Sequence, residues 1–217
     1  MATQLKFPAG LYGVSPEWDD AVRLEDAVRA AARGGMRALQ LRHKTADSAL
    51  RLKLALRMRE ICTELNIIFL INDDWRLAKQ ISADGVHLGR DDDGPAFVRE
   101  QIGPDMLIGV SCYADPARAE SFIACDVAYI AFGAMFASKT KPLAPPAPLT
   151  VLTTGREICQ RQPDPRPAVV AIGGIDASNA QQIFKAGADS IAVVGGLFLA
   201  DDIESTARTL SNSISIN

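Results

Sequence analysis

Phe69-Leu-Ile-Asn-Asp-Asp-Trp75 and Gly85-Val-His-Leu-Gly-Arg-Asp-Asp-Asp93 carry one pattern twice. In each, a short apolar run stops abruptly in an acidic tip. Trp75 to Ile81 between them reads as a short helix. Run, tip, helix, run, tip is what a βαβ unit looks like in sequence, and it brings two acidic tips to the same end of a parallel sheet. Ile67 to Ile71 is apolar without alternation, as expected of a strand covered on both faces.

The rhythm continues in both directions. Strands are predicted at 10–14, 37–42, 67–71, 85–88, 107–111, 127–132, 168–172 and 190–194. Helices are predicted at 25–33, which Gly34-Gly35 stops, and at 75–81, 95–102, 116–123, 150–160, 178–186 and 203–210. The clearest helix carries Leu50, Leu54, Met58, Ile61 and Leu65 at helical spacing, with Asp47 or Ser48 as its cap. Eight strand–helix units match a closed (β/α)8 TIM barrel, expected here as a single domain over residues 1–217. The rival is an open doubly wound sheet, which would place a Gly-rich turn after the first strand. In this chain the paired glycines come last, at Gly173-Gly174 and Gly195-Gly196. The Pro-rich stretch 133–148 is too long for an ordinary connection and is expected to serve function.

Bulk properties narrow the class. The chain has 217 residues, 48% of them hydrophobic, enough for a sizeable core. A net charge of -3 argues against a general nucleic-acid binder but leaves room for an anionic substrate met by local cations. No apolar run reaches the length of about 18 residues that a membrane span needs. The N-terminal stretch lacks the apolar core of a signal peptide, and the four cysteines are scattered. A cytoplasmic protein with reduced thiols is expected, Cys112 reading as a small buried hydrophobe.

In a barrel of this kind chemistry sits at the C-terminal ends of the strands. There the second strand delivers Gln40, Arg42 and Lys44, which alternation puts on one side, with His43 on the other. The third delivers Asn72, Asp73 and Asp74, and the fourth His87 and then Asp91 to Asp93. The fifth delivers Ser111, and the sixth leads to Ser138, Thr140 and Lys141. The seventh and eighth end in Gly173-Gly174 and Val194-Gly195. One of Asp73 and Asp74 is expected to cap the next helix, and two of Asp91 to Asp93 to form a solvated turn. His87 reads as a packed, hydrogen-bonded histidine rather than a ligand. With oxygen donors and no Cys or His cluster, Mg2+ is the expected metal, held by carboxylates and substrate phosphates. The late glycines suit a second phosphate, because bare backbone N–H groups can approach it closely.

Seven motifs occur in order: Gln40-Leu-Arg-His-Lys44, Ile71-Asn-Asp-Asp74, Asp84-Gly-Val-His-Leu-Gly-Arg-Asp-Asp92, Ile108-Gly-Val-Ser111, Ser138-Lys-Thr-Lys141, Ala171-Ile-Gly-Gly-Ile175 and Ala192-Val-Val-Gly195. Over nearly the whole chain they resemble the thiamine-phosphate synthase family. The resemblance implies a transferase joining 4-amino-2-methyl-5-hydroxymethylpyrimidine diphosphate to hydroxyethylthiazole phosphate, with release of pyrophosphate. It implies Asp73 and Asp92 as Mg2+ ligands. It implies Gln40, Arg42, Lys44, Asn72, Ser111 and Lys141 around the pyrimidine diphosphate, with Arg42, Lys44, Lys141 and Ser111 in catalytic roles. Ser138, Thr140, Gly173, Gly174, Val194 and Gly195 match the thiazole phosphate site. Gly195-Gly196 stands where the family commonly has Ser-Ala, which leaves backbone donors alone there. Partners are then phosphorylated small molecules and, at most, a second copy of the chain as a homodimer. A thiazole tautomerase and a non-catalytic phosphate-binding barrel are the alternatives, and both aspartates together with Lys141 speak against them.

Overall fold

The computed structural model describes residues 4–137 and 146–214. Eight parallel strands close into one barrel in chain order. They are β1 (Gly10–Val14), β2 (Met36–Leu41), β3 (Ile68–Asn72), β4 (Gly85–Leu88), β5 (Leu107–Tyr113), β6 (Tyr129–Phe132), β7 (Ala168–Ile172) and β8 (Ser190–Val193). β1 pairs with β8 from Gly10↔Ser190 to Gly13↔Val193. That closure excludes the open sheet, which would leave two free edges.

The helices are α1 (Ala21–Arg33), α2 (Ser48–Glu64), α3 (Trp75–Gln80), α4 (Pro95–Ile102), α5 (Pro116–Ile123), α6 (Thr150–Gln160), α7 (Ala180–Lys185), α8 (Gly195–Phe198) and α9 (Ile203–Asn212). Aspartates start five of them. Asp20, Asp47, Asp74, Asp115 and Asp202 each accept main-chain N–H bonds from the first turn. α1 begins four residues before the predicted start, because Asp20 and not the apolar stripe sets its first turn. Asp47, one of the two caps considered, starts α2. The one-turn α8 was not expected. Four residues are too few to show a period.

Strand alternation divides the core into two layers. Inside the barrel lie Tyr12, Ala38, Leu70, Tyr129, Val170 and Ala192 with their neighbours, and Phe7 plugs the lower end. The opposite faces pack on the helices in one continuous outer core. At the N-terminal end of the barrel buried Arg166 donates to both oxygens of Asp189, each at 2.9 Å, and Asp189 also accepts the Val169 N–H. This buried pair ties β7 to β8 at the end remote from the strand tips.

Candidate active site

The C-terminal rim gathers the polar residues that strand position predicted. Buried Gln40 donates through Nε2 to the Tyr12 hydroxyl at 2.5 Å. Arg42 and Lys44 follow β2 on the loop. Arg42 Nη1 lies 2.6 Å from Glu17 Oε1, and its backbone N–H donates to Ser15 Oγ. Lys44 Nζ lies 3.0 Å from Asp73 Oδ2 with its side chain 56% exposed, a cation at the mouth and not in the core. His43 is buried against the loop between β1 and α1. Its Nδ1 accepts from Ala46 N–H and its Nε2 meets Asp19 Oδ1 at 2.7 Å.

The five aspartates after β3 and β4 divide as their neighbours dictate. Asp74 caps α3 by accepting from Leu77 N–H. Asp93 accepts from Trp75 Nε1 at 2.8 Å, and Asp91 is exposed. Asp73 sits in the left-handed region at φ 64°, with its N–H donating to the His87 carbonyl at 2.8 Å. That turn aims its side chain across the rim, where Asp92 Oδ2 accepts the Gly89 N–H at 2.6 Å. A Cβ placed on Gly89 would lie 3.0 Å from Asp92 Oδ2 and 3.8 Å from Asp73 Oδ1, so the two carboxylates converge on the space a bare glycine leaves open. Desolvation and the neighbouring Asp73 carboxylate hold the Asp92 carboxyl above its ordinary pKa. Two converging carboxylates are where a cation is wanted. Among the described residues no group of three His, Cys, Asp or Glu side chains assembles. Among the described residues the two carboxylates could fill only part of a divalent ion's shell.

His87 uses both ring nitrogens. Nδ1 lies 2.8 Å from the Tyr129 hydroxyl and Nε2 lies 2.9 Å from Ser111 Oγ. Burial pushes its pKa down to about 4, so the ring is neutral at physiological pH. Asn72 stands half-buried at the tip of β3. The Ser111 carbonyl is held by Arg118 Nε at 3.0 Å.

Across the rim, Gly173 and Gly174 have φ of 104° and 66°. A Cβ on Gly173 would come within 2.6 Å of Ala134, and one on Gly174 within 2.7 Å of the Ala137 carbonyl. Glycine is needed there because the chain leaving β6 docks on the end of β7, through Met135 N–H to Ile172 O and Phe136 N–H to Gly173 O. Val194-Gly195 opens α8, with Gly195 only half-buried. Ser138, Thr140 and Lys141 lie outside the described residues.

Sequence reasoning missed Ser15 and Glu17. They follow β1 at the same rim, and the strand-end rule applied to the first strand would have found them. It also missed Tyr12 and Tyr129, which read as ordinary strand aromatics.

A family profile described as Thiamine monophosphate synthase matches residues 11–197, from β1 to α8. Thiamine-phosphate synthase of Bordetella pertussis is 55% identical over 213 residues, covering 98% of each chain. That of Chromobacterium violaceum is 45% identical over 202 residues, covering 93% of this chain and 94% of its own. The structure of thiamine phosphate pyrophosphorylase from Pyrococcus furiosus superposes with a TM-score of 0.81 at 28% identity, over 97% of both chains. A rim of facing carboxylates, cations and bare glycine backbone, on a chain matched end to end by these relatives, makes it a transferase belonging to the thiamine monophosphate synthase family.

Proposed function

We propose that this member of the thiamine monophosphate synthase family transfers the hydroxymethylpyrimidine group from its diphosphate to hydroxyethylthiazole phosphate by a dissociative route. The observation that carries the reading is the convergence of Asp73 and Asp92 at Gly89, with Lys44 already drawn onto Asp73. The donor set fits Mg2+, which takes one or two carboxylates and keeps waters and substrate phosphates for its other positions. When bound, Mg2+ would be held by Asp73 and Asp92 and would supply positive charge beside the diphosphate.

The chain's own residues do the rest. Lys44 leaves Asp73 and Arg42 leaves Glu17 to meet the diphosphate, and Lys141 is proposed as the third cation. The C–O bond to the diphosphate breaks, its electron pair leaving with the oxygen. The resulting benzylic-type cation is stabilised by the pyrimidine amino group. The thiazole nitrogen then donates its lone pair to that carbon and forms the C–N bond. Charge stabilisation of the departing group is the main catalytic demand, and loss of one well-placed partner costs roughly 100- to 1000-fold in kcat. Gln40, Asn72 and Ser111 are proposed to hold the pyrimidine. Backbone at Gly173, Gly174, Val194 and Gly195, with Ser138 and Thr140, is proposed to hold the thiazole phosphate and so orient the attack. No helix of the described residues is long and apolar enough to cross a membrane. The reading puts the enzyme in the cytoplasm.

The test is Asp73→Asn combined with Asp92→Asn, assayed for thiamine phosphate formation across a Mg2+ titration. Mg2+-dependent turnover should vanish. Full activity in that variant would sink the metal assignment, and metal-independent proton shifting on the thiazole alone would favour the tautomerase.

A further inference from the structure

Four hydrogen bonds run in series through the barrel interior. Gln40 Nε2 meets the Tyr12 hydroxyl at 2.5 Å, and Tyr12 meets the Tyr129 hydroxyl at 2.9 Å. Tyr129 meets His87 Nδ1 at 2.8 Å, and His87 Nε2 meets Ser111 Oγ at 2.9 Å. The residues come from β1, β2, β4, β5 and β6. The chain therefore crosses the barrel and returns to the rim at both ends, at Gln40 and at Ser111.

Space for it is made at one position. Gly109 is the register partner of both His87 and Tyr129. The Tyr129 ring fills the volume its side chain would take, stacked on His87 at 5.7 Å between ring centres. Packing does not require such a chain. Phenylalanine at positions 12 and 129 would fill the same volume with no polar group to desolvate and no partner to find. Polar groups strung through an otherwise apolar lumen need another reason, and their two ends at the rim supply it.

Counting protons gives the chain a direction. The Gln40 amide donates to Tyr12 oxygen. Giving every buried hydroxyl proton an acceptor assigns the Tyr12 proton to Tyr129, and the Tyr129 proton to His87 Nδ1. The neutral imidazole carries its proton on Nε2 and donates it to Ser111 Oγ. In that assignment the Ser111 hydroxyl proton is left without a protein acceptor among the described residues, at the half-buried end of the chain beside the rim.

We propose that Tyr12, Tyr129 and His87 are positioning residues that fix the Ser111 hydroxyl as a hydrogen-bond donor into the site, so that this position selects a substrate ring presenting a bare nitrogen acceptor. The proposal rests on the reading that Ser111 faces the pyrimidine. It adds a specificity element that lies below the site and touches no substrate.

A double-mutant cycle with Tyr129→Phe and Ser111→Ala tests it. Tyr129→Phe keeps the ring and its packing and removes only the hydroxyl. It should lower kcat/KM for the pyrimidine diphosphate roughly 10-fold, the scale of one net hydrogen bond, and leave KM for the thiazole phosphate unchanged. In the Ser111→Ala background it should change nothing further. Tyr12→Phe, one bond further along, should show the same pattern and covers the case in which Tyr129→Phe folds poorly. A pyrimidine diphosphate analogue with a ring nitrogen replaced by C–H should be discriminated against by the parent enzyme and tolerated equally by Ser111→Ala and Tyr129→Phe. Additive losses in the cycle would show an independent structural role and overturn the proposal. So would a silent Tyr129→Phe beside an impaired Ser111→Ala. Full activity of Ser111→Ala would instead overturn the placement of the pyrimidine at Ser111, and the positioning role with it.

Discussion

Adding a single methyl group at Gly109 should collapse the interior on which the site stands. The Cβ of Gly109→Ala would lie 1.9 to 2.3 Å from three atoms of Tyr129, Cζ, Cε1 and the hydroxyl oxygen. Restoring an ordinary contact of roughly 3.5 Å moves the ring by about 1.5 Å. Tyr129 has nowhere to go without loss. Phe7 packs on it at 4.5 Å between centroids, and its hydroxyl is held at 2.8 and 2.9 Å by His87 and Tyr12. A shift of that size breaks both hydrogen bonds. Overpacking costs about 1–3 kcal/mol, and each buried polar group left unpaired costs about 1–3 kcal/mol. With one overpacked ring and two unpaired polar groups the sum is about 6 kcal/mol, corresponding to a fall in Tm of roughly 12–24 °C for a domain of this size. The assay is thermal unfolding followed by circular dichroism, with kcat/KM measured well below the transition. Gly109→Ala with Tyr129→Leu, which removes the clashing ring, should recover much of the stability but not the activity. A Gly109→Ala protein with parental Tm would refute the close approach, and with it the account of how the two rings meet.

Three further outcomes follow from single sites. Asp92 has a native pKa raised by desolvation and Asp73, so the folded state keeps a proton that the unfolded chain releases, and stability falls as pH rises from the ordinary aspartate pKa through the raised one. Asp92→Asn should therefore raise Tm at neutral pH in chelator and lose that advantage well below the ordinary aspartate range; a lower Tm at neutral pH would contradict the crowding of the two carboxylates. Asp189→Ala leaves buried Arg166 without its partner and should cost about 3–5 kcal/mol in denaturant unfolding, while kcat of the folded fraction stays at the parental value because the pair lies at the opposite end of the barrel. Burial pushes the thiols of Cys62, Cys112 and Cys159 up to about 12, so a thiol reagent should label at most the half-buried Cys125 in native protein and all four after unfolding.

Much of the rim is legible in the sequence. Asn72, Asp73, His87 and Ser111 were assigned to strand ends because an apolar run that stops in polar residues is a local signal. Alternation put Gln40, Arg42 and Lys44 opposite His43, and His43 is buried against Asp19 and Ala46 while Lys44 stands exposed at the mouth. The aspartates were harder. Capping by Asp74 and the Trp75 contact of Asp93 depend on where α3 lies against the following loop. Glu17 escaped notice as a single charge in a short loop. Its pairing with Arg42 exists only because β1 and β2 are neighbours.

Local patterning thus determined the element types, their order, and the polar residues that each strand carries to its tip. Motif order went further and pointed to the family, which the matched relatives established. Tertiary structure alone decided which groups meet across the barrel. Tyr12 and Tyr129 are 117 positions apart and share a 2.9 Å hydrogen bond. Gly109 makes room for a ring on the next strand. The physical reason is that a two-residue period records which face a side chain occupies. Its partner across the lumen is set by barrel closure and strand register, long-range properties that no short stretch of sequence contains.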